Sequence, residues 1–227
     1  MFENPFFAFP TKFSFSIMSS MRRKKEIKFL LQMMIIIEKY LWMPIKIYKN
    51  AFTLSDSRLT KLKEFAKKGR AIFNPDRHRI QRAIRKNHKI YKEVADCMKT
   101  FNLLNGRTLG GMVVLHSEPN CAEQKMHYDY DPTTLQDCAV LPLGVIIALE
   151  RNTKFKTPSK VYHLSKGDVL TFSGDTIHCG SHYKKENTRL HLYLDIPEVK
   201  RTPGLTWFPD EIIETSDRQR RNFLKKK

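Results

Sequence analysis

Acidic residues are scarce in this 227-residue sequence, in which 23 Asp and Glu stand against 41 Lys and Arg. The imbalance lies in the first half of the chain. Residues 1–110 contain 24 basic and 8 acidic residues, a net charge of +16, whereas residues 111–227 contain 17 and 15, a net charge of +2. Such a basic half is typical of proteins that bind nucleic acid or another polyanion, but also of a solubilising helical surface. The composition leaves both interpretations open.

Cysteine is also rare, and no pair of cysteines has the CxxC spacing of zinc-binding or redox motifs. A small secreted scaffold held together by disulfides is therefore not expected. We predict instead reduced, partly buried thiols in an intracellular protein, cytoplasmic or nuclear. The four residues are Cys97, Cys121, Cys138 and Cys179.

No apolar run is long enough for a confident transmembrane helix. The run Phe29–Ile37 is broken by Gln32 and followed by charged residues, whereas a spanning helix needs ~20 apolar residues. The basic stretch Arg22–Lys25 precedes this run as in a secretory signal, but bulky residues follow it instead of a small-residue cleavage site. We predict that residues 27–42 form a helix packed on the domain. A membrane-associated segment is the less favoured alternative.

The pattern of apolar residues changes at Gly110-Gly111. Before this point, the capping residues Ser55–Ser57 and Asn74-Pro75 each introduce an apolar pattern of helical spacing, and the second pattern predicts a long helix with a basic surface. After it, short strand-like runs are separated by Pro, Gly and Asn turns. These runs are Met112–His116, Gln124–Tyr130, Leu143–Leu149, Val161–Leu164, Val169–Phe172, Ile177–Tyr183 and Leu190–Ile196. Seven or eight strands without intervening helices favour a jelly roll, and the fold class is α+β.

These patterns predict four parts. Residues 1–54 are an N-terminal extension, and residues 55–106 are a basic helical region that packs on the barrel. Residues 107–200 are the jelly-roll core. Residues 201–227 are a C-terminal helix followed by a basic tail.

Four residues in the second half of the chain are candidates for binding a metal ion and a carboxylate. His127 and Asp129 are two positions apart, so on a strand both side chains project to the same face. His178 follows the turn Ser173–Asp175, and a jelly roll brings such distant strands together. Two imidazoles and one carboxylate can occupy one face of an iron(II) ion and leave other positions open. Arg189 follows on the next predicted strand, and its fixed fork suits a carboxylate.

The segments QKMHYDYDP, KGDVLTFSGDTIHCG and NTRLHLYLDIP resemble the iron(II)- and 2-oxoglutarate-dependent dioxygenase superfamily over residues 107–197. The resemblance implies a double-stranded β-helix in which His127, Asp129 and His178 bind iron(II) and Arg189 binds the distal carboxylate of 2-oxoglutarate. Because the cosubstrate cation is an arginine, the sequence resembles the phytanoyl-CoA-hydroxylase-like branch of this superfamily. The implied reaction consumes dioxygen and couples decarboxylation of 2-oxoglutarate to hydroxylation of a substrate that the sequence does not name.

Three alternatives stay open. His191 stands where many relatives have Ser or Thr, and it is predicted either to donate a hydrogen bond to the cosubstrate carboxylate or to fill the barrel. Asp131 could replace Asp129 as a ligand, although its place before Pro132 favours a role in the turn. The alternative function is a catalytically silent barrel whose basic helices bind nucleic acid or an acidic partner.

Overall fold

The computed structural model of the chain describes residues 45–71, 78–199, 201 and 205–209. The helices are α1 Asp56–Lys67 and α2 Lys89–Thr100; the strands are β1 Lys46–Tyr48, β2 Arg70–Ala71, β3 Arg79–Ala83, β4 Thr108–Ser117, β5 Leu143–Ala148, β6 Thr153–Lys156, β7 Val161–Leu164, β8 Val169–Ser173 and β9 Asn187–Asp195. The helix predicted at residues 27–42 lies outside the described residues, and of the predicted C-terminal part only residues 201 and 205–209 are described. Neither described helix is long and apolar enough to cross a membrane.

Seven antiparallel strands form the larger sheet, in the order β1-β8-β5-β9-β4-β3-β2. Side chains alternate between the two faces of each strand. On β9, Leu190 and Leu192 pack in a core with Val94 and Met98 of α2. Since the odd-numbered residues of β9 project from the other face, Arg189 and its odd-numbered neighbours face the interior of the barrel.

A second, smaller layer closes the barrel. The hairpin β6-β7 forms its regular part, and single bridges extend it from Lys156 to Cys179, from His178 to His127 and from Tyr128 to Trp207. Apolar side chains from both layers meet in a second core, which contains Ile146, Leu164, Phe155, Leu170 and Phe172. The two layers, with helices outside the larger one, confirm the predicted α+β jelly roll.

The long helix predicted after Asn74-Pro75 is wrong over residues 79–83 and confirmed only in its second half, the helix α2. Residues 79–83 form the strand β3, which pairs with β4, and the helix α2 begins only at Lys89, where His88 Nδ1 accepts a hydrogen bond from the amide of Ile90. A short apolar pattern does not distinguish a helix from a strand by itself. The edge of β4 supplies backbone partners to residues 79–83, and this non-local pairing overrides the local pattern.

Most of the other predicted elements are present, but two predicted strands are irregular and two short strands were not predicted. The helix α1 and the strands β4, β5, β7, β8 and β9 correspond to predicted segments. The runs 124–130 and 177–183 are not regular strands, since only single bridges involve them. The short strands β1 and β6 had no clear apolar signal and were not predicted. The four-part division of the chain stays a prediction.

Candidate metal centre

His127 and His178 lie side by side in the smaller layer. The amide of His127 donates to the carbonyl of His178 at 2.9 Å, and the amide of His178 donates back at 3.0 Å. Asp129 follows His127 by two residues, and the potential ligand atoms of the three residues all lie within 4.8 Å of one another. The fold thus brings together the three residues that the sequence predicted as ligands.

The spacing of the three groups suits a single ion. Asp129 Oδ2 lies 3.4 Å from His178 Nε2, and Asp129 Oδ1 lies 4.0 Å from His127 Nε2. Two ligand atoms at about 2.1 Å from one ion are roughly 3–4 Å apart, depending on the angle between them. All three side chains are buried. The groups are therefore close enough to share an ion, and the surrounding protein shields them from water.

Backbone carbonyls orient both imidazole rings. His127 Nδ1 lies 2.8 Å from the carbonyl oxygen of Lys125, and His178 Nδ1 lies 2.9 Å from that of Thr176. A carbonyl only accepts, so each Nδ1 carries the proton and donates it. In the neutral ring this leaves the lone pair on Nε2, the atom nearest Asp129. A partner on the other ring nitrogen is the usual arrangement of histidines that bind metals.

Electrostatics keep the carboxylate charged. Burial alone would raise the pKa of Asp129, but the nearby His178 and His191 hold it well below its usual range. Burial and the proximity of His178 lower the pKa of His127 to about 4. Burial opposes a charge on His178 as well, yet Asp129 raises the pKa of that ring. An anionic ligand, Asp129, and a neutral imidazole, His127, are thus present at neutral pH, and a metal would compete with protons for His178.

A third histidine contacts the same carboxylate. His191 Nε2 lies 3.3 Å from Asp129 Oδ2. Within the described residues, both atoms are buried without a hydrogen bond of good geometry. A buried polar atom left unsatisfied costs about 1–3 kcal/mol, and a cation bound beside Asp129 would remove the penalty on its oxygen. The imidazole nitrogens of His127 and His178 and one carboxylate oxygen of Asp129 would occupy one face of an ion, which is the donor set expected for iron(II).

Arg189 and the three candidate metal ligands line one cavity, which has a volume of about 750 Å³. The Arg189 side chain is buried, its Nη1 donates to Ser117 Oγ at 3.1 Å, and its guanidinium lies 5.3 Å from the ring centroid of Tyr183. Among the described residues no carboxylate forms an ion pair with it. A buried cation in a cavity of this size is suited to binding a carboxylate ligand.

Aromatic side chains enclose His178. Its ring centroid lies 5.1 Å from that of Phe155, which stacks on it, and 4.6 Å from that of Phe172. The ring of Phe172 occupies space beside Gly144 that a Cβ atom at that position would overlap. Glycine at this position therefore lets an aromatic side chain lie between the larger sheet and the candidate ligand.

Arg79 is a functional candidate that the sequence did not predict, because it lies in the segment predicted as a helix with a basic surface. Arg79 is instead buried in β3. Its Nη2 donates to the carbonyls of Ala122 and Ser181 at 2.8 and 3.0 Å, and its Nη1 donates to Ser117 Oγ, the atom that Arg189 also contacts. Arg79 thus ties together the two segments that carry His127 and His178. Only the pairing of β3 with β4 reveals this, so no local signal could have found it.

Solved structures of low sequence identity share this fold. The chain matches a prolyl-4-hydroxylase of Pseudomonas putida with a TM-score of 0.53 and 9% identity, over 71% of this chain and 96% of that one. It matches HygX of Streptomyces hygroscopicus, with nickel and 2-oxoglutarate bound, with a TM-score of 0.53 and 6% identity, over 70% and 86%. It matches a prolyl hydroxylase of Trichoplax adhaerens, in complex with a hypoxia-inducible-factor peptide, with a TM-score of 0.52 and 13% identity, over 80% and 96%. No family model and no curated protein matches the sequence.

Proposed function

We propose that this protein is an iron(II)- and 2-oxoglutarate-dependent oxygenase that hydroxylates its substrate. The observation that carries the proposal is the convergence of His127, Asp129 and His178 in a cavity that also contains Arg189. The shared fold with HygX, which has been solved with nickel and 2-oxoglutarate bound, supports the same function. Assignment to the phytanoyl-CoA-hydroxylase-like branch remains a prediction.

The three converging residues would hold the metal through His127 Nε2, His178 Nε2 and one oxygen of Asp129. When bound, iron(II) supplies the activation of dioxygen and its coupling to the oxidation of 2-oxoglutarate. In the balanced reaction, substrate R–H, 2-oxoglutarate and dioxygen give R–OH, succinate and carbon dioxide. The protein contributes orientation and the exclusion of side reactions. The carbonyls of Lys125 and Thr176 contribute by holding each Nε2 toward the ion.

Arg189 would bind the distal carboxylate of 2-oxoglutarate. Its guanidinium is buried and held by Ser117, so a carboxylate there would form a charge-assisted, bidentate pair with little competition from water. This fixes the direction of the cosubstrate in the cavity. His191 follows Arg189 by two residues on β9, and its 3.3 Å contact with Asp129 favours a role in positioning that carboxylate. A hydrogen bond from His191 to the cosubstrate stays the alternative.

Anaerobic titration tests the proposal. Metal-free protein receives iron(II) and then 2-oxoglutarate, and a weak visible charge-transfer band is expected; admission of dioxygen should then give succinate. Arg189→Gln should weaken the binding of 2-oxoglutarate but not of iron(II), whereas His178→Ala should weaken both. His163→Gln, at an exposed position of β7, is the matched control. A folded protein that gives neither the band nor succinate would refute the proposal.

Binding of nucleic acid or an acidic partner is the second candidate, and its structural support is weaker. Two arginines of the predicted basic helix are engaged elsewhere: Arg79 is buried, and Arg82 packs over the ring of Phe65 at 4.0 Å and donates to its carbonyl. Burial keeps Arg79 from phosphates, and the contacts with Phe65 hold Arg82 against the helix α1. Affinity for nucleic acid that rises steeply as salt is lowered would favour this function.

An intracellular location, cytoplasmic or nuclear, is part of the proposal. All four cysteines are free thiols, which is the usual state in a reducing compartment. Fluorescence microscopy of the tagged full chain would check the location.

A further inference from the structure

We propose that the substrate of this centre carries an oxyanion, a carboxylate or a phosphate, which binds Arg201 at the end of the cavity opposite Arg189. The proposal rests on the proposed function in one respect: the triad is taken as the place of reaction. The oxyanion site itself is formed by residues outside the triad.

Strand register places Arg189 toward one end of the cavity. On β4, Leu115 pairs with Arg189 and Val113 pairs with His191, the residue that contacts Asp129. Tyr193 follows farther along β9. At about 3.3 Å per residue, the strand rises roughly 13 Å from Arg189 to Tyr193. The triad therefore lies between two ends of one cavity, and a cosubstrate held by Arg189 would leave the end near Tyr193 to the substrate.

Arg201 is built into the wall of that second end. Its side chain is only 10% exposed, and its Cζ lies 3.6 Å from the ring centroid of Tyr193. The ring of Tyr193 lies 4.6 Å, centroid to centroid, from that of His191. The guanidinium is thus separated from the histidine beside Asp129 by a single aromatic ring. Packing against this ring limits the conformations of the guanidinium, whereas an exposed lysine or arginine moves freely.

Two glycines make room for this arrangement. The register of β4 against β9 shifts between Leu109 and Met112, so Gly110 and Gly111 lie in an irregular stretch of the strand. A Cβ atom at Gly111 would come within 2.8 Å of Arg201 Nη2, and one at Gly110 would overlap the carboxylate of Asp195. Larger residues at either position would have to displace these charged groups.

The charge at this end is positive. Arg201 Nε lies 3.7 Å from Asp195 Oδ1, which already accepts a hydrogen bond from Tyr130 at 2.7 Å. Within the described residues, Arg201 Nε is buried without a hydrogen bond. Arg85 and Lys86 line the same cavity and are exposed. They follow Ile84, whose amide donates to the carbonyl of Met112, next to Gly111. No described acidic side chain forms an ion pair with either cation. Three cations against one carboxylate favour an anionic ligand, and the fork of arginine matches the paired oxygens of a carboxylate or phosphate.

Matched small probes test the proposal on the full-length protein loaded anaerobically with iron(II) and saturating 2-oxoglutarate. The probes are butyl phosphate, pentanoate, pentan-1-ol and pentylamine, which have similar length and differ in charge. Isothermal titration and thermal shift should show binding of at least one of the two anions. The alcohol and the amine should bind at least tenfold more weakly. Comparison of butyl phosphate with pentanoate decides which oxyanion the site prefers, and either preference supports the proposal.

Variants locate the binding site. Arg201→Gln should weaken anion binding at least tenfold, and the double variant Arg85→Gln/Lys86→Gln should weaken it several-fold. Lys61→Gln/Lys68→Gln is the matched control, since it removes two exposed charges from the helix α1 and its C-terminal end. If Arg201→Gln does not fold, the Arg85/Lys86 variant decides, because both side chains are exposed.

Equal binding of pentylamine, or unchanged anion binding in folded Arg201→Gln, would overturn the proposal. It would equally be overturned if the Arg85/Lys86 variant bound anions as the wild type does. Titrations repeated without metal and 2-oxoglutarate separate the two proposals. Anion binding that depends on Arg201 in a protein without turnover refutes only the oxygenase function. Succinate formation without any preference for anions refutes only the oxyanion site.

Discussion

His127 and His178 form a reciprocal pair of backbone hydrogen bonds, at 2.9 and 3.0 Å. The distance between their rings, 4.7 Å between centroids, is thus set mainly by the backbone of the smaller layer. The carbonyls of Lys125 and Thr176 then fix each ring. A candidate centre built in this way is organised before any ligand binds, which is the requirement for precise positioning of reacting groups.

Metal should stabilise the protein through this centre. A ligand that binds only the folded state at 100 times its Kd adds about 2.7 kcal/mol to the free energy of unfolding. We expect iron(II) added under anaerobic conditions to raise the Tm, and a chelator to reverse the shift. Asp129→Asn and His178→Ala should lose the shift, while His163→Gln should keep it. A shift of equal size in all four proteins would place the metal elsewhere.

His191 should affect metal binding more than cosubstrate binding. Its contact with Asp129 Oδ2 is 3.3 Å, and loss of such an outer partner typically weakens metal affinity 10–100-fold. We expect His191→Phe to show this loss, with the affinity for 2-oxoglutarate little changed at saturating metal. His191→Asn, which keeps a donor, should recover part of the affinity. Separate titrations with metal and with 2-oxoglutarate measure both effects, and the reverse pattern would assign His191 to the cosubstrate.

Gly144 should not tolerate alanine. A Cβ atom there would overlap the ring of Phe172, and overpacking of a core typically costs about 1–3 kcal/mol. The displaced ring would press on His178, so metal affinity should fall together with the free energy of unfolding. Urea denaturation and metal titration of Gly144→Ala measure the two losses. The double variant Gly144→Ala/Phe172→Leu should recover part of each, and failure of Gly144→Ala to destabilise the protein would contradict the overlap.

Asp168 should stabilise the fold in a pH-dependent way. Its side chain is 1% exposed and accepts hydrogen bonds from Lys49 Nζ at 2.8 Å and from the amides of Ser165 and Asn50 at 2.9 and 3.2 Å. Burial would raise the pKa of Asp168, but Lys49 and the two amides outweigh it and lower the pKa. Because Lys49 is 63% exposed, water screens its pair and the amides carry most of the effect.

The sign of this effect follows from linkage. A carboxyl whose pKa is lower in the folded state stabilises the fold above its unfolded pKa of about 3.9, and this stabilisation is lost as the pH falls through the folded pKa. We expect Asp168→Asn to lower the free energy of unfolding by about 1.5–3 kcal/mol at pH 7. The difference from wild type should shrink below about pH 4. Urea denaturation at pH 7, 5 and 3 measures it, and a constant difference would contradict the lowered pKa.

Local signals predicted the elements that have a continuous apolar run or a regular apolar spacing. The apolar run of β5 and the helical apolar spacing of α1 are strong local patterns, and both elements are confirmed. The strand β3 was predicted as helix because its five residues lie in a sequence of mixed spacing and pair with residues 30 to 38 positions away. The runs 124–130 and 177–183 join the smaller layer by single bridges only. Such bridges depend on segments that are distant in the sequence.

The sequence by itself determined which side chains can carry chemistry, because the types and order of His127, Asp129, His178 and Arg189 do not depend on the fold. It also indicated the jelly roll, since short strand-like runs follow one another without helices between them. Only the tertiary structure decided that His191 reaches Asp129 and that Arg79 is buried. It alone placed Arg201, two glycines and Tyr193 at one end of the cavity. The physical reason is that strand pairing and register set these contacts, and both arise between segments far apart in the chain.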